Sequence, residues 1–214
     1  MKVIFCLPGR EYSREFLMSW TELMMQANAK GHQCMVSQNY SSVVHFARAK
    51  CLGGDVLAGP DQKPFQGKVD YDAVMWIDSD IVFKPEDFLA LLESPHDVTA
   101  GLYMMEDMQN YAVVKEWDTE YFKKNGSFEF VSATTKFDEQ YMPVAYAGMG
   151  WMLVRKGVME KLKYPWFYGE LQTIGDAQDM MAEDVAFCRA LAASGTQVYV
   201  DTSIRVGHQK KVIL

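Results

Sequence analysis

Short apolar runs alternate with helical patterns through the first hundred residues of this chain. Residues 3–7 form an apolar run that stops at Pro8-Gly9, and apolar side chains then recur at helical spacing over residues 16–27. Parallel strands need crossover connections, and a helix is the usual crossover. The alternation therefore predicts an α/β fold with a mostly parallel central sheet flanked by helices.

The same alternation predicts the remaining elements of the first half. We expect strands at residues 33–37, 73–77 and 97–102, and helices at residues 43–52 and 85–92. Gly53-Gly54 is a common stop for a helix, and it opens a loop at residues 53–67 that is rich in Gly, Pro, Asp and Gln.

From about Tyr111 the pattern changes to shorter alternating runs with few helical signals. We expect strands at residues 112–117, 128–131, 142–146, 151–154 and 197–200, and a helix at residues 183–193. This mixture predicts a smaller antiparallel or mixed portion attached to the parallel sheet, within a single domain.

Composition limits the classes of partner. With 49% hydrophobic residues, the 214-residue chain can bury a substantial core, which excludes a disordered or fibrous protein. The formal net charge of −7 provides no positive field, so we expect no nucleic-acid partner. An anionic substrate would need a cation or a few well-placed basic side chains.

Cysteines and apolar run lengths bear on the compartment. The four cysteines form no C-x-x-C pair, which favours a reduced, intracellular and cytoplasmic protein without a zinc cluster. No apolar run approaches the eighteen or so residues of a membrane span, so we expect a soluble chain. The end at residues 210–214 lacks a polar tail, as expected of a piece cut from a longer protein with further domains.

The sharpest chemical signal is Asp78-Ser79-Asp80, which follows the apolar run at residues 73–77 directly. In extended backbone, residues i and i+2 point the same way, so the two carboxylates would converge. They repel each other unless a cation lies between them, and open α/β sheets bind ligands at this end of their strands. The pair predicts a Mn²⁺ or Mg²⁺ site shared with a diphosphate, and the alternative is a solvated acidic loop.

Each of three later segments has a functional interpretation and a purely structural one. Gly148-Met149-Gly150 could let backbone approach a ligand closely, or could simply form a turn. Glu183-Asp184 begins a helix, where carboxylates act in catalysis or favour the helix dipole. His208 could complete a Mn²⁺ site, or could be an exposed histidine near the chain end.

Taken together, these segments resemble the nucleotide-sugar glycosyltransferases of the GT-A fold, the D-x-D type with a Rossmann-like sheet. The overall sequence pattern is similar to that of small transferase domains of phages and large DNA viruses. The segments that carry the resemblance are, in chain order, Pro8-Gly9, the helix with Arg48, Asp78-Ser79-Asp80, Gly148-Met149-Gly150-Trp151, Glu183-Asp184 and Gly207-His208.

The resemblance implies a nucleotide-binding half at residues 1–105 and a half at residues 106–214 that completes the acceptor and metal sites. It implies three metal ligands: Asp78, Asp80 and His208. It also implies that a UDP-sugar donor is held by Pro8, Gly9, Arg10, Ser37, Arg48, Asp78, Ser79, Gly148, Gly150 and Trp151.

The resemblance further implies transfer of a hexose-type sugar from the UDP-sugar to a hydroxyl group of a glycan or glycoprotein. In an inverting enzyme Asp184, with Glu183 second, would be the base that takes the hydroxyl proton. In a retaining enzyme both would orient substrate instead, and the sequence leaves the two outcomes open. The chain lacks the Q-x-x-R-W signature, which argues for single transfers.

Two other functions fit parts of the sequence. Asp78-Ser79-Asp80-Ile81-Val82 also fits the D-x-D-x-[T/V] motif of haloacid-dehalogenase-type phosphohydrolases, with residues 175–179 as a late acidic motif. In that fold, however, the nucleophile strand comes first, whereas here about seventy residues precede it. The other alternative is a non-catalytic module that binds sugars or nucleotides by stacking on tryptophan and tyrosine.

Overall fold

A computed structural model describes residues 1–210 of the protein. The central sheet has seven strands in the order β2-β1-β3-β10-β5-β13-β8. Its strands are β1 (Lys2–Pro8), β2 (Gln33–Asn39), β3 (Ala73–Ile77), β5 (Val98–Leu102), β8 (Tyr141–Val144), β10 (Trp151–Arg155) and β13 (Val198–Arg205). Strands β8 and β10 run opposite to the other five, so the sheet is mostly parallel. The predicted α/β class is confirmed.

Five helices accompany the strands within the described residues. They are α1 (Arg14–Ala29), α2 (Val44–Cys51), α3 (Pro85–Glu93), α4 (Thr119–Asn125) and α5 (Glu183–Ala193). The Ser13 hydroxyl caps α1 by accepting the N–H of Phe16 at 2.9 Å, and Pro85 occupies the first turn of α3. Gly53, with a φ of +70°, follows α2 in the left-handed conformation that its sequence position predicts.

The central sheet is buried on both faces because its side chains alternate between two cores. Along β1, Val3, Phe5 and Leu7 belong to one core, and Ile4 and Cys6 belong to the other. All five residues of β3 are buried, which explains why this strand reads as a continuous apolar run. Strand β3 therefore delivers the acidic segment at residues 78–80 to one edge of a rigid layer.

Smaller sheets complete the second half of the chain. They are formed by β4 (Ile81–Val82) with β14 (Gly207–His208), by β6 (Asn110–Val114) with β7 (Phe130–Ser132) and β9 (Tyr146–Ala147), and by β11 (Glu170–Ile174) with β12 (Ala177–Met181). These sheets are antiparallel, as predicted. The second half also supplies β8, β10 and β13 to the central sheet, so both halves share one layer.

Several sequence-based boundaries were wrong. The predicted strand at 142–146 is two strands, β8 and β9, that belong to different sheets, and the strand at 197–200 extends to Arg205. Helix α4 and the hairpin β11–β12 were missed because their residues are mostly polar and exposed, so neither shows an apolar period. Two sequence signals marked the ends of α4. Asp118 caps its start by accepting two backbone N–H groups, and Gly126 lies at its end.

Within residues 1–210, no helix is both long and apolar enough to cross a lipid bilayer. The apolar chain end, from which a longer protein was inferred, falls largely at residues 211–214 and lies outside the described residues.

Candidate active site

A buried arginine joins two distant parts of the chain at the carboxyl end of β3. Arg48 Nη2 donates to Asp78 Oδ2 and Arg48 Nε donates to Glu183 Oε1, both at 3.0 Å. Burial opposes the guanidinium charge, but the two carboxylates outweigh it and raise the pKa of Arg48. Among the residues that the structure describes, Arg48 Nη1 and Asp78 Oδ1 are buried without a hydrogen-bond partner. Buried polar atoms without a partner are uncommon, and they often mark a functional role or the place of a bound water or ion.

Asp78 and Asp80 do not converge as the extended backbone predicted. Residues 78–81 form a turn in which the Ile81 N–H donates to the Asp78 carbonyl at 3.1 Å. The turn breaks the strand alternation, so the Asp78 carboxylate meets Arg48 while the Asp80 carboxylate meets His208. The guanidinium of Arg48 is therefore a protein cation that lies directly beside the Asp78 carboxylate.

Two very short strands bring His208 to Asp80 across 128 residues of sequence. In the β4–β14 pair, His208 lies opposite Ile81, and the Gln209 N–H donates to the Asp80 carbonyl at 2.7 Å. His208 Nε2 then lies 3.1 Å from Asp80 Oδ2. The pairing makes the position of His208 part of the fold, although the residue is close to the chain end.

The ring of His208 is oriented by a backbone carbonyl. Its Nδ1 lies 2.7 Å from the Met104 oxygen, which can only accept, so Nδ1 carries a proton. Asp80 and Lys210 both contact Nε2, but a carboxylate needs a proton there and an ammonium needs a lone pair. The hydrogen bond with Asp80 raises the pKa of His208, whereas the Lys210 ammonium at 2.8 Å favours a free lone pair. Metal-bound histidines are commonly held by the same Nδ1 contact to a carbonyl.

Asp80 and His208 together fit a Mn²⁺ ion, which accepts carboxylate oxygen and imidazole nitrogen. Burial opposes the charge of the Asp80 carboxyl, but His208 and Lys210 outweigh burial and lower its pKa, which keeps it charged. Within residues 1–210, no three His, Cys, Asp or Glu side chains are grouped so that they could hold an ion. Of the three predicted ligands, the structure thus brings together two, and Asp78 bonds to Arg48 instead.

Tyr103, at the end of β5, is a site residue that the sequence analysis missed. Its hydroxyl accepts the Gly150 N–H at 3.2 Å, and its ring packs edge-on against His208, with centroids 5.2 Å apart. Burial, followed by the charges of Asp78 and Asp184, raises the pKa of Tyr103. Tyr103 therefore links His208 to the backbone at Gly150.

The position of Tyr103 requires glycine at residues 148 and 150. A Cβ on Gly148 would lie 1.9 Å from the Tyr103 hydroxyl, and a Cβ on Gly150 would lie 3.1 Å from its Cζ. The Gly150 carbonyl also accepts the Asp78 N–H at 3.0 Å. We expected the glycines to let the backbone approach a ligand closely. In the structure, the backbone at Gly148 and Gly150 closely approaches the Tyr103 side chain.

The two carboxylates at the start of α5 have separate surroundings. Glu183 is buried and held by Arg48, whereas Asp184 Oδ2 accepts the hydroxyl proton of Tyr146 at 2.8 Å. Asp184 Oδ1 also accepts the Val185 N–H at 2.8 Å, so a contact with the first helical turn coexists with any catalytic role. Burial, and then the charge of Glu183, raises the pKa of Asp184 against the opposing effects of Tyr146 and Arg48.

The predicted nucleoside-binding residues follow β1 and β2. Gly9 lies beside the acidic turn, because a Cβ on it would be 2.7 Å from Ser79 Cβ, and its carbonyl accepts from Gln38 Nε2. The Ser37 hydroxyl donates to the Cys51 carbonyl at 2.7 Å. The guanidinium of Arg10, which is exposed, lies 5.7 Å from the centroid of the Tyr40 ring.

Two other predicted donor-binding residues are part of the protein interior. Pro8 is buried at the end of β1, and the Trp151 indole is fully buried. The indole packs on Phe83, with ring centroids 4.6 Å apart. The side chain of Trp151 therefore supports the sheet beneath the site and has no surface to stack on a ligand.

Solved structures of other proteins share this architecture. A197 from STIV aligns with a TM-score of 0.61 at 19% identity, over 99% of this chain and 87% of that chain. GalNAc-T7, solved with UDP, GalNAc and Mn²⁺, aligns with a TM-score of 0.52 at 10% identity, over 99% of this chain and 44% of that chain. The likeness shows the GT-A fold that the sequence predicted. The sequence itself matches no family model and no curated protein.

We predict that Gly148→Ala destabilises the protein, because its new Cβ would displace the Tyr103 hydroxyl. The free energy of unfolding should fall by about 1–3 kcal/mol, as for other overpacked interiors. Gly169→Ala is the matched control, since its Cβ would meet only ordinary contacts at 3.5 Å and beyond. Denaturant unfolding of both variants measures the difference, and equal stabilities would contradict the placement of Tyr103.

Proposed function

We propose that this chain is a metal-dependent glycosyltransferase that moves a hexose-type sugar from a UDP-sugar to a hydroxyl group of a glycan or glycoprotein. The observation that carries the proposal is the Asp80–His208 pair, a carboxylate oxygen and an oriented imidazole nitrogen 3.1 Å apart at the end of β3. The fold supports it, because GalNAc-T7 has the same fold and was solved with UDP, GalNAc and Mn²⁺.

Asp80 and His208 would hold the cation, leaving its other positions for phosphate oxygens of the donor and for water. A metal ion held there supplies positive charge next to the diphosphate, where negative charge develops as the sugar leaves. Arg48 keeps Asp78 in place, and the unpaired Asp78 Oδ1 and Arg48 Nη1 can hydrogen-bond donor hydroxyl or phosphate groups. Gly9 and Ser79, which touch each other, would form the backbone wall beside the nucleotide.

Asp184 is the candidate base for the acceptor hydroxyl. Its carboxylate is positioned by Tyr146 and by the first turn of α5, whereas Glu183 is committed to Arg48. Burial raises the pKa of Asp184, which makes the carboxylate a better proton acceptor than an exposed aspartate. We therefore place the base at Asp184 and assign Glu183 the task of fixing the helix start.

The structure offers no observation that favours the two alternatives. Residues 175–179 form the turn of the separate β11–β12 hairpin and the start of β12, and they do not extend from the central sheet, as a phosphohydrolase motif would require. Of the rings that a stacking module would use, Trp76, Trp151 and Trp166 are each at most 1% exposed, so these three cannot stack on a ligand.

We predict that UDP stabilises the protein against heat only together with Mn²⁺ or Mg²⁺, because nucleotide and acidic site share the ion. At a hundredfold excess over Kd, the melting temperature should rise by roughly 5–10 °C. Asp80→Ala should lose this rise, and Asp61→Ala, which removes a carboxylate that is 83% exposed, should keep it. Equal stabilisation of the unchanged protein in excess chelator would contradict the shared-metal site.

We also predict that Asp184→Asn slows sugar transfer by roughly a hundredfold or more without weakening donor binding, because an amide cannot take the acceptor proton. Melting temperature, donor affinity and transfer rate are measured on one preparation. Asp179→Asn, on the exposed face of β12, is the control and should transfer normally. A fully active Asp184→Asn would remove Asp184 from the role of base.

The pH dependence gives a second test of the same assignment. Because burial raises the pKa of Asp184, transfer should fall as the pH drops through that pKa and the carboxylate takes up a proton. Tyr146→Phe removes a hydrogen bond that lowers this pKa, so the acid limb of kcat/KM should move to higher pH. An unmoved acid limb would show that another group is responsible for it.

A further inference from the structure

Positive charge is scarce around a site that is proposed to bind a diphosphate. The chain carries a net charge of −7, and both Nε and Nη2 of Arg48 are bound to carboxylates. Arg10 is exposed and its guanidinium lies over the Tyr40 ring. Lys210, at the end of the described chain, is a further basic side chain that reaches this site.

The Lys210 ammonium contacts the same two atoms that would bind the metal. Its Nζ lies 2.8 Å from His208 Nε2 and 3.4 Å from Asp80 Oδ2. An ammonium can only donate, so it bonds to Nε2 in the neutral ring, in which the Nδ1 contact to Met104 leaves the Nε2 lone pair free. In the protonated ring, Nε2 donates to Asp80 instead. The protein therefore places its own cation on the Asp80–His208 pair.

The ammonium and a metal ion cannot use this lone pair together. A metal bonded to the pair would use the Nε2 lone pair and the Asp80 oxygen that the ammonium now contacts. The backbone beside Lys210 is held, because Gln209 donates to the Asp80 carbonyl at 2.7 Å and its side chain donates to Glu15 at 3.2 Å. The long side chain of Lys210 can still move by several ångströms around this anchor.

We propose that Lys210 binds the diphosphate of the donor, exchanging the Asp80–His208 pair for phosphate oxygens when the metal and nucleotide enter. This inference rests on the proposed function, which puts the diphosphate on the same metal ion. Lys210 then contributes to donor affinity, and it competes with the metal when no nucleotide is present.

Isothermal titration calorimetry separates the two effects. Four forms of the full chain are titrated first with Mn²⁺ alone and then with UDP at saturating Mn²⁺: the unchanged protein, Lys210→Ala, Lys210→Arg and Lys163→Ala. Lys163 is 80% exposed and pairs with Asp61, so its variant controls for the loss of one positive charge. Lys210→Arg keeps a cation that can still reach phosphate.

We expect Lys210→Ala to weaken UDP binding about tenfold or more, the usual effect of losing a charge-assisted hydrogen bond. The same variant should bind Mn²⁺ alone at least as tightly as the unchanged protein does. Lys210→Arg and Lys163→Ala should bind UDP within about threefold of it.

Unchanged UDP affinity in Lys210→Ala would overturn the inference. Weaker binding of Mn²⁺ alone by that variant would also overturn it, because Lys210 would then be supporting the metal site. If the unchanged protein binds Mn²⁺ and UDP, the proposed function stands whichever of these results Lys210→Ala gives. An unchanged protein that binds neither would instead contradict the proposed function itself.

Discussion

The buried charge of Arg48 is the interaction on which the rest of the site depends. Its guanidinium bonds to Asp78 at the end of β3 and to Glu183 at the start of α5, two residues that are 105 positions apart. Loss of one partner of a buried ion pair typically costs about 3–5 kcal/mol, because the other charge is left unpaired. The strand that delivers the acidic turn and the helix that delivers Asp184 are therefore fixed to each other.

The remaining geometry follows from this connection. Asp78 bonds to Arg48, and after the turn at residues 78–81 Asp80 meets His208, which the β4–β14 pair brings to it. Tyr103 packs against His208 and bonds to Gly150, and the absence of a side chain at Gly148 provides room for its hydroxyl. Arg48 and Tyr103 thus connect the two parts of the proposed site, the Asp80–His208 pair and the buried Asp184 carboxylate, through the strands and the helix that carry them.

The sequence predicted the parts that depend on local patterns. The apolar residues 73–77 identify β3 and thereby the edge where Asp78 and Asp80 lie, and Ser13 and Gly53 mark helix ends. The residues alone left His208 open between a metal ligand and an exposed histidine, since two-residue strands leave no periodic signal, and the family resemblance favoured the ligand. Arg48 carries no local sign that its charge will be buried, and it looks like any helix arginine.

The errors share one physical cause, which is that side-chain direction depends on long-range contacts. Extended backbone would have pointed Asp78 and Asp80 the same way, but the turn and the pull of Arg48 separate them. Tyr103 and Tyr146 were missed for the same reason, because a tyrosine in an apolar run is usually a core residue. Their hydroxyl contacts to Gly150 and Asp184 exist only after the strands have assembled.

The position of a bound metal ion tests the account most directly. Crystals grown with UDP and Mn²⁺, with data collected at the manganese absorption edge, would locate the ion by its anomalous scattering. We predict one peak within roughly 2.3 Å of both an Asp80 carboxylate oxygen and His208 Nε2, touching the diphosphate. Bound UDP with no peak at this pair, or with the ion at another set of side chains, would contradict the account.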